Sequence, residues 1–302
     1  MDLTLGDPRW LPHPVRGLGW AIQKGEGWLR AQVRDELWAG RLLAAGIVLG
    51  TWCAVQAALR AASILSPCVF RAAEVAFLYV CLSTRDLAVE SWPVYRALKD
   101  GDLSKARRDV SMIVGRDTRE LDEREISRAA VETIAESAMD GIVAPLFYAA
   151  IGGVPFCCVY KAVNTLDSMV GYRSARYIRF GRAAAVLDHW MNVVPARVTA
   201  GLLRLAGWLL GLRAGPSGPR DPRIQKENSF VAEAAMGEAL GVQLGGVNFY
   251  QGKPVDTPPM GQDRRPLNKE RIPDAIRVMY LASFLAATLA LGTRFLLGGR
   301  FL

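Results

Sequence analysis

The stretch GIVAPLFYAAIGGVPFCCVYKAV, residues 141–163, decides the fold. It is apolar from end to end except for Lys161, and Gly152-Gly153-Val154-Pro155 sits in its middle. A helix does not run cleanly through two glycines and a proline, because the glycines cost backbone entropy and the proline removes a donor. Each half is then about 10–12 residues, or roughly 15–18 Å of helix, which is half the thickness of a bilayer core. The segment therefore predicts a re-entrant hairpin rather than a single crossing, with its two polar flanks on the same side of the membrane.

Further apolar runs lie on both sides of it. Residues 42–64 form a span whose only charge, Arg60, sits near one end, where it can snorkel to the interface. Ser66-Pro67 breaks the chain, and residues 69–82 form a shorter second arm carrying Arg71 and Glu74, three residues apart and able to pair. Residues 278–297 are the last good span. Residues 193–212 contain Arg197 and Arg204 and read either as a crossing or as an interfacial helix. An amphipathic helix is expected over residues 18–39. In the polar stretch 83–140, Ser104 reads as one helix cap and Asp122 with Glu125 as a capping box. A small-residue helix is expected over 232–244 and a Pro-rich polar loop over 251–273. The reading is an all-α polytopic membrane protein with helical hairpins, a re-entrant segment and polar helical loops at the cytoplasmic face. It forms a single domain, 1–302, whose polar segments 83–140, 164–192 and 213–277 carry the chemistry. Arg213, Arg220, Arg223 and Lys226 argue for the cytoplasmic side.

Composition agrees. Of the 302 residues, 51% are hydrophobic, yet 22% are charged, so apolar spans alternate with substantial polar segments. The net charge of +8 suits cytoplasmic loops and phosphate-bearing substrates. No Lys/Arg cluster is interleaved with aromatics, which argues against nucleic acid as a partner. Cys53, Cys68, Cys81, Cys157 and Cys158 lie in apolar surroundings without a C-x-x-C pair, and read as small buried hydrophobes. Two histidines do not make a zinc set. Asp2, Asp7 and two prolines interrupt the N-terminus before a signal-peptide core could form.

Glu132, Glu136 and Asp140 recur every four residues and form one carboxylate stripe on a helix. Lys161, Asn164, Asp167 and Ser168 share another face directly after the apolar run. Two readings of the stripe stand: a solvated face, or an oxygen-rich site for Mg²⁺ with nucleotide phosphates completing its shell. Arg116-Asp117 is either a local turn salt bridge or a phosphate contact through Arg116. Lys161 either snorkels or meets a phosphate or carboxylate. His13, between two prolines, reads first as a plain loop residue and second as a site residue, and His189, beside Trp190, reads as either. No G-x-x-x-x-G-K-[ST] is present, so a nucleotide site here is not a P-loop.

At these residues the chain resembles a known family. The segments GDPRWLPHPVR (6–16), SMIVGRDT (111–118), DGIVAPLFY (140–148), YKAVNTLDSMVGY (160–172), NVVPAR (192–197), EAAM (233–236) and ALGVQLGG (239–246) are similar to the adenosylcobinamide-phosphate synthase family, CobD/CbiB, of cobalamin biosynthesis. The resemblance covers nearly the whole chain. It implies a multi-pass enzyme of the bacterial inner membrane that joins aminopropanol, or its phosphate, to the free propionate of adenosylcobyric acid. The reaction it implies is an ATP- and Mg²⁺-dependent amide ligation. It implies Glu132, Glu136, Asp140 and Asp167 near Mg²⁺, with Glu136, Asp140 and Asp167 as its ligands. Lys161, Arg116 and Arg173 would contact phosphates, and Asn164 and Ser168 would orient substrate. His13, Arg16, Asp117, Arg197, Asn228 and Glu233 join the substrate-binding set. Expected partners are the corrinoid, the amine, membrane lipid and other late cobalamin-assembly enzymes. The chain departs from the pattern at Ser137, where the family has Asn, and over residues 224–229, where of a His-Pro-Ser-Pro-Asn-like loop only Asn228 remains. Two rival readings are a non-catalytic membrane sensor of the same superfamily and a transporter using the break at Gly152-Gly153 as a midplane site.

Overall fold

The computed structural model describes residues 14–212 and 221–298. Ten α-helices and one β-hairpin follow in order among these residues: α1 (Pro14–Gln32), α2 (Glu36–Leu65), α3 (Pro67–Cys81), α4 (Thr84–Lys99), α5 (Leu103–Ser111), α6 (Glu123–Ala138), α7 (Ala144–Val170), α8 (Arg182–Leu209), α9 (Asn228–Leu240), β1 (Gln243–Tyr250), β2 (Lys253–Gly261) and α10 (Arg271–Leu296). A π-helical turn, Met139–Val143, joins α6 to α7. Four stretches are long and apolar enough to cross a membrane: Glu36–Leu65, Pro67–Lys99, Glu123–Val170 and Arg271–Leu296. Large apolar side chains such as Leu49, Ile64, Leu65, Phe284 and Phe295 point outward, as lipid-facing residues do. The protein is an all-α polytopic membrane protein with one small two-stranded sheet.

The chain gathers into two compact units. The first comprises the described residues of Met1–Ser83, Ala144–Val193 and Thr288–Leu302; the second comprises Thr84–Val143 and Val194–Ala287.

In the first unit, Asp35 starts α2 by accepting from the Leu37 and Trp38 amides. The helix expected over 18–39 is thus two helices. Arg34-Asp35-Glu36 looks like a solvated helix face in sequence but contains the cap. Ser66 ends α2, and its hydroxyl accepts from the Val69 amide to start α3, with Pro67 in the first turn. Arg71 and Glu74 pair at 2.9 Å, as their spacing predicts.

Within α7 the chain turns back on itself. Gly153 has φ 72° and ψ −167°, a conformation closed to residues with a side chain. A Cβ on Gly152 would fall 2.2 Å from the Phe156 ring. Tyr148 and Tyr160 stack with ring centroids 5.2 Å apart, whereas twelve residues of straight helix would separate them by roughly 18 Å. The apolar segment is therefore a hairpin with its tip at the two glycines. Its arms pack Ala149, Val154, Cys157 and Cys158 against Val55 and Leu59 of α2 and Cys81 of α3. A second core joins Ile22 and Leu29 of α1, Leu43 of α2, Leu166 and Val170 of α7, and Phe180.

In the second unit, α6 opens with the expected capping box: Asp122 accepts from the Glu125 amide, and the Glu125 side chain accepts from the Asp122 amide. The cap expected at Ser104 falls instead on Asp102, whose carboxylate accepts from the Lys105 amide after a left-handed turn at Gly101. The helix expected over 232–244 spans Asn228–Leu240 and stops at Gly241, which is left-handed. The polar loop expected over 251–273 contains a strand. β2 pairs antiparallel with β1 over the register Tyr250↔Lys253 to Gln243↔Gly261, with a bulge between Leu244 and Gly246. Pro254, Pro258 and Pro259 disguise it in sequence. A two-stranded sheet leaves half of each strand's amides unpaired, so it tolerates prolines that a central strand would not.

Candidate functional site

Chemistry-bearing residues collect in one cluster within each unit. In the second unit the cluster is built on α6, α9 and β1. Glu132 is buried, and its carboxylate accepts from Arg116 Nη2 at 2.5 Å and from the Gly245 amide at 2.9 Å. Arg128 Nη1 lies 3.9 Å from Glu132. The Arg128 guanidinium donates to the Gly245 and Val247 carbonyls and to Asn248 Oδ1. Arg116 Nη1 donates to the same Asn248 oxygen at 2.7 Å. Gly245 makes this approach possible: its φ is +80°, and a Cβ there would lie 2.1 Å from the Pro258 carbonyl oxygen. Asp117 clasps the hairpin, its amide donating to the Phe249 carbonyl and its carboxylate accepting from the Gly252 amide. Both members of the Arg116-Asp117 pair thus bind the β-hairpin, Arg116 through Asn248.

The acidic stripe grades outward from this network. Glu132 is buried, Glu136 is exposed, and Asp140 is half-buried on the π-turn. Glu233 on α9 is 7% exposed. Burial first, then the like charges of Glu132 and Glu136, hold its carboxyl well above the usual carboxylate range, with Arg116 and Arg128 only partly offsetting them. Asn228, buried at the start of α9, accepts from Arg197 Nη1 at 3.2 Å. Two residues implied by the resemblance and thirty-one positions apart therefore meet.

In the first unit the cluster is built on the hairpin and the start of α8. Tyr148 donates to the Met191 carbonyl, and Tyr160 to Asn192 Oδ1. The Asn192 amide donates to Asp188 Oδ2 at 3.0 Å, and the Asn164 side chain also hydrogen-bonds Asp188. Asp188 Oδ1 is buried and meets no partner among the described residues. Burial pushes the Asp188 carboxyl up, against the two asparagine hydrogen bonds that favour its charged form. Asp188 lies close enough for its charge to act on Asp167. Lys161 is half-buried and lines a cavity of about 440 Å³ between α1, α2, α3 and α7. Ser168 is exposed and donates to the Asn164 carbonyl. Arg16 and Arg173 are exposed, and His13 lies outside the described residues.

The three expected Mg²⁺ ligands divide between the units, Glu136 and Asp140 in the second and Asp167 in the first. Among the described residues no group of three His, Cys, Asp or Glu side chains is placed to hold a metal ion by itself. Sequence reasoning missed Asp188, Arg128 and Asn248. The i, i+4 spacing of Asp188 and Asn192 on one helix face is a signal that could have found the first. Arg128 and Asn248 carry none, because their role comes from a contact across 120 positions.

The chain matches the family model described as CobD/Cbib protein over residues 1–279. It is 46% identical to the cobalamin biosynthesis protein CobD of Geobacter metallireducens, over 96% of this chain and 92% of that protein. It is 40% identical to the CobD of Citrobacter koseri and 39% identical to the cobalamin biosynthesis protein CbiB of Salmonella typhimurium, in each case over 99% of this chain and 96% of the relative. No solved structure matches it.

Proposed function

The chain belongs to the CobD/CbiB family, and from that premise we propose that it works in cobalamin biosynthesis as the ligase joining an amino alcohol to a corrinoid. The substrates on this reading are adenosylcobyric acid, aminopropanol or its phosphate, and ATP. The product is adenosylcobinamide or its phosphate. The observation that carries the reading is the family match over residues 1–279, which contains both clusters.

The chemistry assigns roles to the residues. A carboxylate must lose an oxygen before an amine can displace it, so the propionate has to be activated by phosphoryl transfer. That step needs cations on the transferring phosphoryl group and an amine held in place to attack. Lys161, half-buried beside an apolar cavity, suits a phosphate. Asp188 and Asp167, with the Asn164 amide, are an oxygen donor set with one buried acceptor to spare, and this fits Mg²⁺ that keeps waters and nucleotide phosphates in its remaining positions. Bound there, Mg²⁺ would neutralise charge on the phosphates. Asn192 and the two tyrosines hold Asp188 in place. Arg197 and Asn228 serve substrate binding in the second unit. The basic balance and the apolar helices support a setting in the bacterial inner membrane with the active face in the cytoplasm, where other late cobalamin-assembly enzymes are the expected partners.

The test is to incubate the purified protein with adenosylcobyric acid, aminopropanol phosphate, ATP and Mg²⁺. Formation of the corrinoid amide is expected. No amide, together with failure to complement a cobinamide-deficient strain, overturns the reading. Full ligase activity in Asp167→Ala rules out that residue as a metal ligand.

A further inference from the structure

The cavity beside Lys161 is held open by its own walls. It measures about 440 Å³ and lies within the first unit, between α1, α2, α3 and α7. Gly17 of α1 and Gly46 and Gly50 of α2 line it, and a Cβ on any of them would meet nothing within 4 Å. None of the three has a positive φ. They therefore serve neither a turn nor a close approach, yet a glycine inside a helix costs stability that alanine would restore. Ile47, Val55 and Phe77 make the wall apolar, and Thr51 brings the one hydroxyl among the described residues that line it. Lys161 stands half-buried in this wall, and among the described residues no hydrogen bond or ion pair reaches its ammonium. A cation drawn partly out of water without an anion is costly unless a ligand supplies one.

We propose that this cavity holds one acyl chain of an anionic membrane phospholipid, with the lipid phosphate on Lys161. At about 30 Å³ for a group the size of a water or a methylene, the space takes a chain of roughly fifteen carbons. The ligase substrates match it poorly. A nucleoside triphosphate brings a polar sugar and several charges to a wall whose side-chain nitrogen and oxygen come from Lys161 and Thr51. A corrinoid is too large for the space, and aminopropanol phosphate is too small and too polar to fill it. The outer side of α1 sets the depth. Arg16, Trp20, Lys24 and Trp28 follow one another every four residues and all are exposed, and tryptophans alternating with cations belong at the headgroup level. Gly17, Leu18 and Ala21 of the same helix line the cavity, so the space borders the layer where lipid phosphates lie. The proposal goes beyond the ligase reading and does not depend on it. It gives the phosphate suited to Lys161 a lipid source in place of a nucleotide one.

The experiment measures lipid bound to the full chain in detergent by native mass spectrometry, with palmitoyl-oleoyl phosphatidylglycerol and the matching phosphatidylcholine as probes. Wild type is expected to hold one phosphatidylglycerol per chain and to prefer it to phosphatidylcholine about tenfold, the scale of one charged hydrogen bond. Lys161→Gln should lose the preference. Gly46→Leu combined with Gly50→Leu, which fills the space, should lose the lipid. Gly50→Ala, whose Cβ meets nothing, should keep both. Should the filled variant not fold, the preference and its loss in Lys161→Gln decide alone. Equal binding by wild type and the filled variant puts the lipid on the outer surface and overturns the proposal. Palmitate binding more tightly than phosphatidylglycerol assigns the cavity to a free fatty acid and also overturns it. So does wild type that binds no lipid, since the space then belongs to another segment of the chain. A raised KM for ATP in Lys161→Gln with the lipid preference unmoved gives Lys161 to the nucleotide and sinks the lipid site. Absence of corrinoid amide with the preference intact overturns the ligase reading alone.

Discussion

The Arg116–Glu132–Arg128–Asn248 network of the second unit and the Tyr160–Asn192–Asp188–Asn164 network of the first differ in how completely they are satisfied. The first-named is closed. Glu132 meets a guanidinium and an amide, and Arg128 meets two carbonyls and a side-chain oxygen. The other contains no guanidinium and leaves Asp188 Oδ1 buried and unpartnered among the described residues. A saturated buried network fixes geometry, since breaking any member strands the rest. An unsaturated one gives up stability and keeps capacity for a ligand. Two clusters that look equally polar in sequence thus have opposite characters: one joins helix to hairpin, the other is available for chemistry.

Substitutions test that contrast. The largest effect is expected from Arg128→Ala, which strands the Gly245 and Val247 carbonyls and exposes Glu132 to an unbalanced charge. Stability should fall by about 3–5 kcal/mol, read as a lowered unfolding transition in detergent. An unchanged transition would show that the closed network is not a scaffold. Asp188→Asn should do the opposite. Removing a buried, partly unsatisfied charge leaves the unfolding transition unchanged or raised, while ligase activity drops about 10–100-fold. If stability falls with activity intact, the two networks have been assigned the wrong way round.

Gly245→Ala sharpens the comparison without touching a charge. The new Cβ meets the Pro258 carbonyl at a positive φ, and about 1–3 kcal/mol of strain is expected. The same transition measures it, and an effect below that range would mean β1 can move away from Arg128. The subtlest test is read in pH. Because the folded state holds the Glu233 carboxyl above its ordinary value of 4.5, the unfolded chain loses that proton first as pH rises. Its contribution to stability is therefore fully present below about 4.5 and is lost progressively as pH climbs toward the folded pKa. Glu233→Gln should flatten this decline, so that the variant gains on wild type between pH 5 and pH 7 (about the range over which ordinary carboxyls are ionised). Parallel curves for the two proteins would show that Glu233 is not held neutral.

Much of this was legible in the residues. Apolar runs gave the spans, Ser66-Pro67 gave the break between α2 and α3, and Asp122 with Glu125 gave the start of α6, because caps and hydropathy act over a few neighbouring residues. The hairpin in α7 followed from Gly152-Gly153-Val154-Pro155 for the same reason. Asp35 was hidden because a capping acid and a solvated acid look alike until the helix boundary is known. β2 was hidden because its three prolines carry the signature of a loop, and only an edge position makes them compatible with a strand.

By itself, then, the sequence determined that this chain is helical, embedded in a membrane and folded back at residues 152–153, and its motifs determined the family. The tertiary structure decided which acids are enclosed and which reach the surface. Glu132 and Glu136 are equivalent on a helical wheel, yet one is sealed against β1 and the other faces outward. Asp188 gains its importance only beside Asn164 and Asp167. Pairing between distant residues depends on contacts formed by packing, and local pattern carries no record of them.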